Sequence, residues 1–423
     1  MSNNSRRSAL ADSLSCVPPT WLNGGRIPCL DGLRAVAILL VLYAHGHFPG
    51  DALLPLRTLK GRCGFLGVQL FFVLSGFLIT LLMLREVRRT GRLHLGHFYC
   101  RRALRILPVY TVYLLLLAVL GAVGLARFSG RDWLAATTYT VNFLPAPLPW
   151  QMSHLWSLCV EEHFYLLWPL LMALLPQRWC LRAIPACLAA AFVLRWILLA
   201  AVPGAAVDLL TFTRIDDIAV GCGLAFLAHE PSWRDRLDWL AAPRRLVLLV
   251  LVFAVSQVCF SRIIGGRLFP PVLLPFVLAL SNNVNAFTLA VLMWAVLVRP
   301  TGFWGRLLNQ PVAVGLGVLS YSIYLWHVLL CEKQEPAWLC AFPQNLVFIL
   351  LVAALSYRCI ERPFLRWKER LAVDRPPSEL LPARIRFYRL AALGGYFRFL
   401  RPARPSRSPE EPRVWAGDLA RRK

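Results

Sequence analysis

Charge is scarce in this chain, and acidic charge is scarcest. Charged residues make up 16% of the 423 positions, against about 25% in ordinary soluble domains, and only 22 residues are Asp or Glu. A soluble globule covers itself with charge, and a disordered chain is polar throughout, so both classes are excluded. The 12 cysteines form no CxxC pair and no His-flanked metal spacing, which removes zinc modules and disulfide scaffolds, and no metal site is expected. Cys159, Cys187, Cys222 and Cys259 stand inside apolar stretches and read as small buried hydrophobes. Arg6 and Arg7 are followed by no apolar core of signal-peptide length before Pro28, so no cleaved leader is expected and the chain's own helices serve as its anchor.

Apolar material is abundant instead. Apolar residues reach 58%, against about 45–50% in ordinary proteins, with 15 Trp, 11 Tyr and 24 Phe. They gather into long uncharged blocks, which predicts an all-α polytopic integral membrane protein in a cell membrane. The net charge of +24 would point to nucleic acid if read alone. The cations cluster between and beside apolar blocks, where they set topology and meet anionic headgroups, so the predicted partner is the bilayer and no nucleic acid is expected.

A bilayer core of about 30 Å takes roughly 20 helical residues. Gly64–Leu84 and Ile106–Ala126 supply 21 each without a charge. Further candidates lie near 30–48, 155–175, 183–202, 213–229, 246–261, 311–331 and 345–364. Leu268–Val298 runs 31 residues without a charge but contains Asn282, Asn283 and Asn285, which predicts one broken helix or two short ones. Counted as one, it gives ten spans with both chain ends on the Lys/Arg-rich, cytoplasmic side. The resulting organisation is a cytoplasmic segment at 1–27, a transmembrane domain at 28–368, and a basic cytoplasmic tail at 369–423 with an amphipathic lipid-surface stretch near 383–400. No internal repeat is visible, which counts against a transporter built from duplicated halves.

Polar residues inside these blocks need reasons. His45 follows Arg34 by eleven residues, about 1,100° of helix rotation and roughly 16 Å of rise, so the two share one face while His47 points away. They are either a snorkelling Arg with a satisfied core His, or a guanidinium that holds an anionic donor with an imidazole serving as base at the reacting carbon. Arg101, Arg102 and Arg105 precede another span; Arg102 and Arg105 share a face, open to positive-inside bias or to a phosphate clamp. Glu161 and Glu162 open a span, as a headgroup-level pair or as functional carboxylates. Asp216 opens the span at 213, and His327 lies toward the end of the one at 311. Arg358, Glu361 and Arg362 are spaced for structural ion pairs.

Taken together, these strings resemble the acyltransferase-3 family of membrane O-acyltransferases. Leu30 to Ala35 resembles the family's LDGLRA opening with its Arg-x10-His pattern, and Phe71 to Thr80 its FFxxSGFLIT block. Arg102 to Arg105 resembles RxxR, Trp156 to Pro169 WSLxVEExFYLLWP, Arg214 to Gly221 RxDxxxxG, and Ser320 to His327 SYxIYLxH. The likeness covers about residues 28–368 in the family's order. His163 departs from it, standing where Gln is commoner.

The resemblance implies transfer of an acetyl or other short acyl group from cytoplasmic acyl-CoA to a hydroxyl of a carbohydrate or glycosylated small molecule. No permanently bound cofactor is implied; acyl-CoA is the donor substrate, and the location is the bacterial cytoplasmic membrane. Arg34, Arg101, Arg102 and Arg105 would hold CoA phosphates. His45 would act as base, with Glu161 or Glu162 orienting an imidazole or the acceptor hydroxyl from the outer side. Ser75, His327 and Asp216 would contact or support substrate, Ser75 or His45 being the two groups able to carry an acyl intermediate. Some members add a C-terminal extracytoplasmic hydrolase-like domain; the basic tail here does not look like one, so transfer is expected to finish at the membrane domain. The rival reading is a transporter of a lipid-linked sugar in which the same His and Glu relay protons.

Overall fold

The computed structural model describes residues 19–22, 25, 27–46, 54–145, 147–202, 206–259, 268–331 and 338–371. His47, residues 1–18, the loop at 262–267 and the tail beyond 371, with its stretch near 383–400, lie outside the described residues.

Regular structure among the described residues is entirely helical. In chain order the helices are α1 (Leu30–His45), α2 (Leu54–Thr90), α3 (Leu95–Ala122), α4 (Gly130–Thr137), α5 (Leu155–Leu174), α6 (Gln177–Ala201) and α7 (Thr211–Leu227). They continue as α8 (Pro231–Leu240), α9 (Pro243–Cys259), α10 (Leu274–Val298), α11 (Phe303–Leu308), α12 (Pro311–Trp326), α13 (Gln344–Ser356) and α14 (Arg362–Leu371). A 3-10 turn at His327–Leu330 extends α12, and a π-helical turn at Tyr357–Glu361 joins α13 to α14.

Apolar side chains point outward as well as inward. Leu166, Leu170 and Leu174 stand exposed one turn apart on α5, and Val247, Leu251 and Val255 do so on α9. Water would penalise such stripes, whereas lipid tails accept them. The polar residues Gln69, Arg195, Arg214, Asp216, Asp217 and Asn282 are buried instead. Apolar rim and polar interior together are the arrangement of a protein whose solvent is hydrocarbon.

Because lipid is as apolar as leucine, helix association here depends on close packing and internal hydrogen bonds. α2 is enclosed on two sides. Val68, Phe72, Ile79 and Met83 enter a cluster shared with α3, α5 and α12, while Leu70, Val73, Phe77 and Leu81 enter one shared with α1, α7 and α10. The α2–α7 crossing illustrates this. A Cβ on Gly76 would enter the carbonyl of Ile218, and one on Gly221 the carbonyl of Val73, so this pair of glycines lets the two backbones touch.

Among the described residues, five helices are long and apolar enough to cross a membrane, and a sixth span arises if α8 and α9, bent by 69°, count as one. α1, α7 and α13 occupy predicted spans but have only 16, 17 and 13 residues, and α5 carries Glu161, Glu162 and His163 in its first half. Two predictions are corrected. Leu274–Val298 is one unbroken helix, because Asn282, Asn283 and Asn285 each bond a partner from another helix: Arg214, Arg195 and Gln257, respectively. Glu361 pairs with neither Arg358 nor Arg362 among the described residues. The π turn, with its extra residue per turn, rotates its carboxylate inward, where Ser322 donates to it.

Candidate active site

α1 presents Arg34 and His45 along one side, and each end meets a different set of neighbours. At the Arg34 end a cavity is lined by Arg34, Ser75 of α2, Arg102 and Arg105 of α3, and Glu161 and Tyr165 of α5. Arg34 is braced by Asp31, Nη1 to Oδ1 at 3.2 Å. Ser75 Oγ donates to Glu161 Oε1 at 2.5 Å and accepts from the Tyr165 hydroxyl at 2.9 Å. The Arg102 guanidinium lies 4.0 Å above the Tyr165 ring, which fixes its direction. The lining therefore offers three guanidinium groups and a carboxylate at the end of a Tyr165–Ser75–Glu161 hydrogen-bond chain.

Ser157 and Tyr324 also line this cavity. Their hydroxyls are 2.5 Å apart, and the phenol donates to the main-chain carbonyl of His154 at 3.0 Å. Tyr324 also abuts the rings of His154 and His327, with centroids 5.6 and 5.5 Å away. Those rings belong to the second cluster.

At the His45 end three imidazoles meet. The His45 ring lies 4.9 Å from His327 and 6.0 Å from Trp150, and His327 lies 5.6 Å from His154. His154 and His327 are buried. His45 Nδ1 is 3.0 Å from the Val41 carbonyl and His327 Nδ1 is 2.6 Å from the Tyr324 carbonyl. A carbonyl oxygen only accepts, so both Nδ1 atoms carry hydrogen and the neutral rings keep a basic lone pair on Nε2. Neither ring nitrogen of His154, nor Nε2 of His327, has a hydrogen-bond partner among the described residues. Nor, among those residues, is any group of three His, Cys, Asp or Glu arranged to hold a metal ion.

Several sequence expectations land elsewhere. Glu161 stands seven residues beyond His154 on α5, about 10 Å nearer the Arg34 end, so it bonds Ser75 and does not orient an imidazole. Glu162, one position on, is outside the cavity lining. Arg101 points away to Glu86, Nη2 to Oε2 at 3.4 Å, and is also outside the lining. Asp216 is locked in the core between α6, α7 and α10, where Arg195 holds both its oxygens at 2.7 and 2.8 Å. His163, at the family's Gln position, bonds Thr211 Oγ1 at 2.7 Å. Sequence reading missed His154, Tyr165 and Tyr324; no spacing links residues on separate helices, and the one available sign was a polar ring at the end of an apolar block.

Comparison with known proteins bears on this arrangement. The acyltransferase domain family model matches residues 27–358. The chain is 30% identical over 370 residues to the peptidoglycan O-acetyltransferase OatA of Listeria monocytogenes, covering 80% of this chain and 55% of that protein. It is 30% identical over 375 residues to a putative O-acetyltransferase of Staphylococcus aureus, and 28% identical over 374 residues to the O-acetyltransferase OatA of that species, each alignment covering 80% of this chain and 57% of the relative. The chain thus spans little more than half the length of these relatives. No solved structure matches. With 332 consecutive positions inside the family's acyltransferase domain, and with multiple long apolar helices, the chain belongs to the acyltransferase-3 family and is a multi-pass membrane protein.

Proposed function

We propose that this enzyme moves an acetyl or other short acyl group from cytoplasmic acyl-CoA to a hydroxyl of a carbohydrate, working through ten spans with both chain ends in the cytoplasm. The observation that carries the reading is the succession along α1: a guanidinium-lined cavity at Arg34, then an imidazole cluster at His45. Arg34, Arg102 and Arg105 bind CoA phosphates, for which the planar guanidinium offers paired donors. The flexible arm of the donor runs along the cavity past Ser75 and Tyr165 and brings the thioester to Tyr324. His45, protonated on Nδ1, accepts the acceptor's hydroxyl proton on Nε2. The oxygen then attacks the thioester carbonyl carbon, the C–S bond breaks, and CoA leaves as its thiol. The names of the relatives make a peptidoglycan-type glycan the first acceptor to try.

The test uses purified protein in detergent with acetyl-CoA and a chitin tetrasaccharide. The expected result is release of CoA thiol and a sugar heavier by one acetyl group, with no ion gradient present. Thiol release that requires sealed vesicles and a gradient would overturn the reading in favour of transport.

A further inference from the structure

The transfer just proposed moves an acyl group from sulfur to oxygen and must move a proton the other way, from the hydroxyl to the departing thiolate. The three imidazoles are unequal in their capacity to carry it. His45 and His327 each spend Nδ1 on a backbone carbonyl, so neither ring takes a proton at one nitrogen and releases one from the other. His154 is different. It is 3% exposed, yet both of its nitrogens lack a partner among the described residues. A buried polar group left open costs free energy, so leaving two open on one ring calls for a reason. A ring open at both nitrogens accepts a proton at one and releases another at the opposite side.

Its position fits that capacity. The His154 ring contacts His327, which contacts His45 on the far side. It also lies 5.6 Å from the ring of Tyr324, which with Ser157 lines the donor cavity. His154 therefore touches both His327, the neighbour of His45, and Tyr324, a residue of the cavity lining.

We propose that His154 is the proton relay of this acyltransferase, a role that rests on the transfer reading above. The hydroxyl proton goes to Nε2 of His45, the C–O bond forms as the C–S bond breaks, His154 gives a proton from one nitrogen to the thiolate, and it is refilled at the other by the proton His45 received, which His327 takes and hands on at Nε2. The sum is alcohol plus thioester giving ester plus thiol, with no further reactant.

The experiment is chemical rescue of His154→Gly in the full chain, purified in detergent, with acetyl-CoA and the chitin tetrasaccharide. Without additive, kcat is expected to fall about 100-fold with the KM for acetyl-CoA within about twofold of the parent. Added 4-methylimidazole, which keeps both nitrogens available, restores turnover in proportion to its concentration. The isomer 1-methylimidazole, of the same size with one nitrogen blocked, does not. Equal rescue by the two isomers, rescue by neither, or a kcat within about threefold of the parent overturns the relay. Should the glycine variant not yield monodisperse protein, His154→Gln replaces it: the same kcat loss at unchanged KM is expected, and parental turnover overturns the proposal. A parent enzyme that releases no CoA thiol fails the transfer reading itself, whereas an active parent with a fully active His154 variant fails only the relay.

Discussion

Two buried polar assemblies lie within this apolar bundle, and their bonding is opposite. Between α6, α7 and α10, Arg195 grips Asp216 and also donates to the carbonyls of Thr213 and Ala279 and to Asn283 Oδ1. Beside it Arg214 bonds Asp217 and Asn282, Asn282 Nδ2 donates to Asp217 at 2.8 Å, and Gln69 donates to the same carboxylate at 2.7 Å. Every charge there meets a counter-charge and at least one side-chain amide. At the ends of α1, α5 and α12 the three imidazoles meet with nitrogens of His154 and His327 left open among the described residues. A satisfied network leaves nothing to offer a substrate and holds helices; an unsatisfied one is poorly suited to holding helices and keeps its lone pairs for chemistry.

The largest effect should come from breaking the first assembly. Asp216→Ala strands the Arg195 guanidinium in a site 1% exposed, and removing one partner of a buried pair costs about 3–5 kcal/mol, a large part of the roughly 5–15 kcal/mol that holds a protein folded. Size-exclusion profiles of detergent extracts should show little monodisperse protein. His45→Ala is the mirror experiment. It should elute and melt like the parent while acyl transfer falls by about 10²–10⁴-fold, the range of general-base contributions. If Asp216→Ala folds normally, or if His45→Ala collapses, the division between a holding network and a working one is wrong.

That division was only half legible in the sequence. Helix periodicity within one segment put Arg34 and His45 on one side of α1, and Arg102 and Arg105 on one face of α3, and these arginines do share a cavity. An acid in an apolar run, however, looks the same whether it is clamped by a distant Arg or open to substrate. Asp216 owes its fate to Arg195, 21 residues away, and to the α6–α7 packing that no local pattern encodes. The three asparagines of α10 looked like a break for the same reason, since their partners come from α6, α7 and α9. Glu161 lines the Arg34 end, a level that depends on how α5 runs beside α1 and that no local pattern encodes. Loss of register at Glu361 came from a single π turn, invisible to a count that assumes 3.6 residues per turn.

The donor end sharpens the comparison at lower amplitude. Arg102→Ala/Arg105→Ala removes two of the three cavity guanidinium groups. With hydrogen bonds to charged groups contributing about 1.5–3 kcal/mol each, the KM for acetyl-CoA should rise at least about tenfold while kcat changes little. Isothermal titration with CoA checks the binding part; unchanged affinity would return these arginines to topology alone.

Arg101→Ala should do least, and that small result separates chemistry from charge count. Arg101 is adjacent to Arg102 and carries the same charge, so a purely electrostatic attraction of CoA would weaken almost equally on losing either. Its guanidinium, however, faces Glu86 outside the cavity, in a pair whose side chains are 28% and 15% exposed, and such pairs contribute about 0–1 kcal/mol. The KM for acetyl-CoA should stay within about twofold of the parent in the single Arg101 variant, while the single Arg102→Ala variant, measured alongside at the same ionic strength, shows the larger rise. Equal rises in both would mean that the donor responds to the summed positive field of this end rather than to the three guanidinium groups that line the cavity.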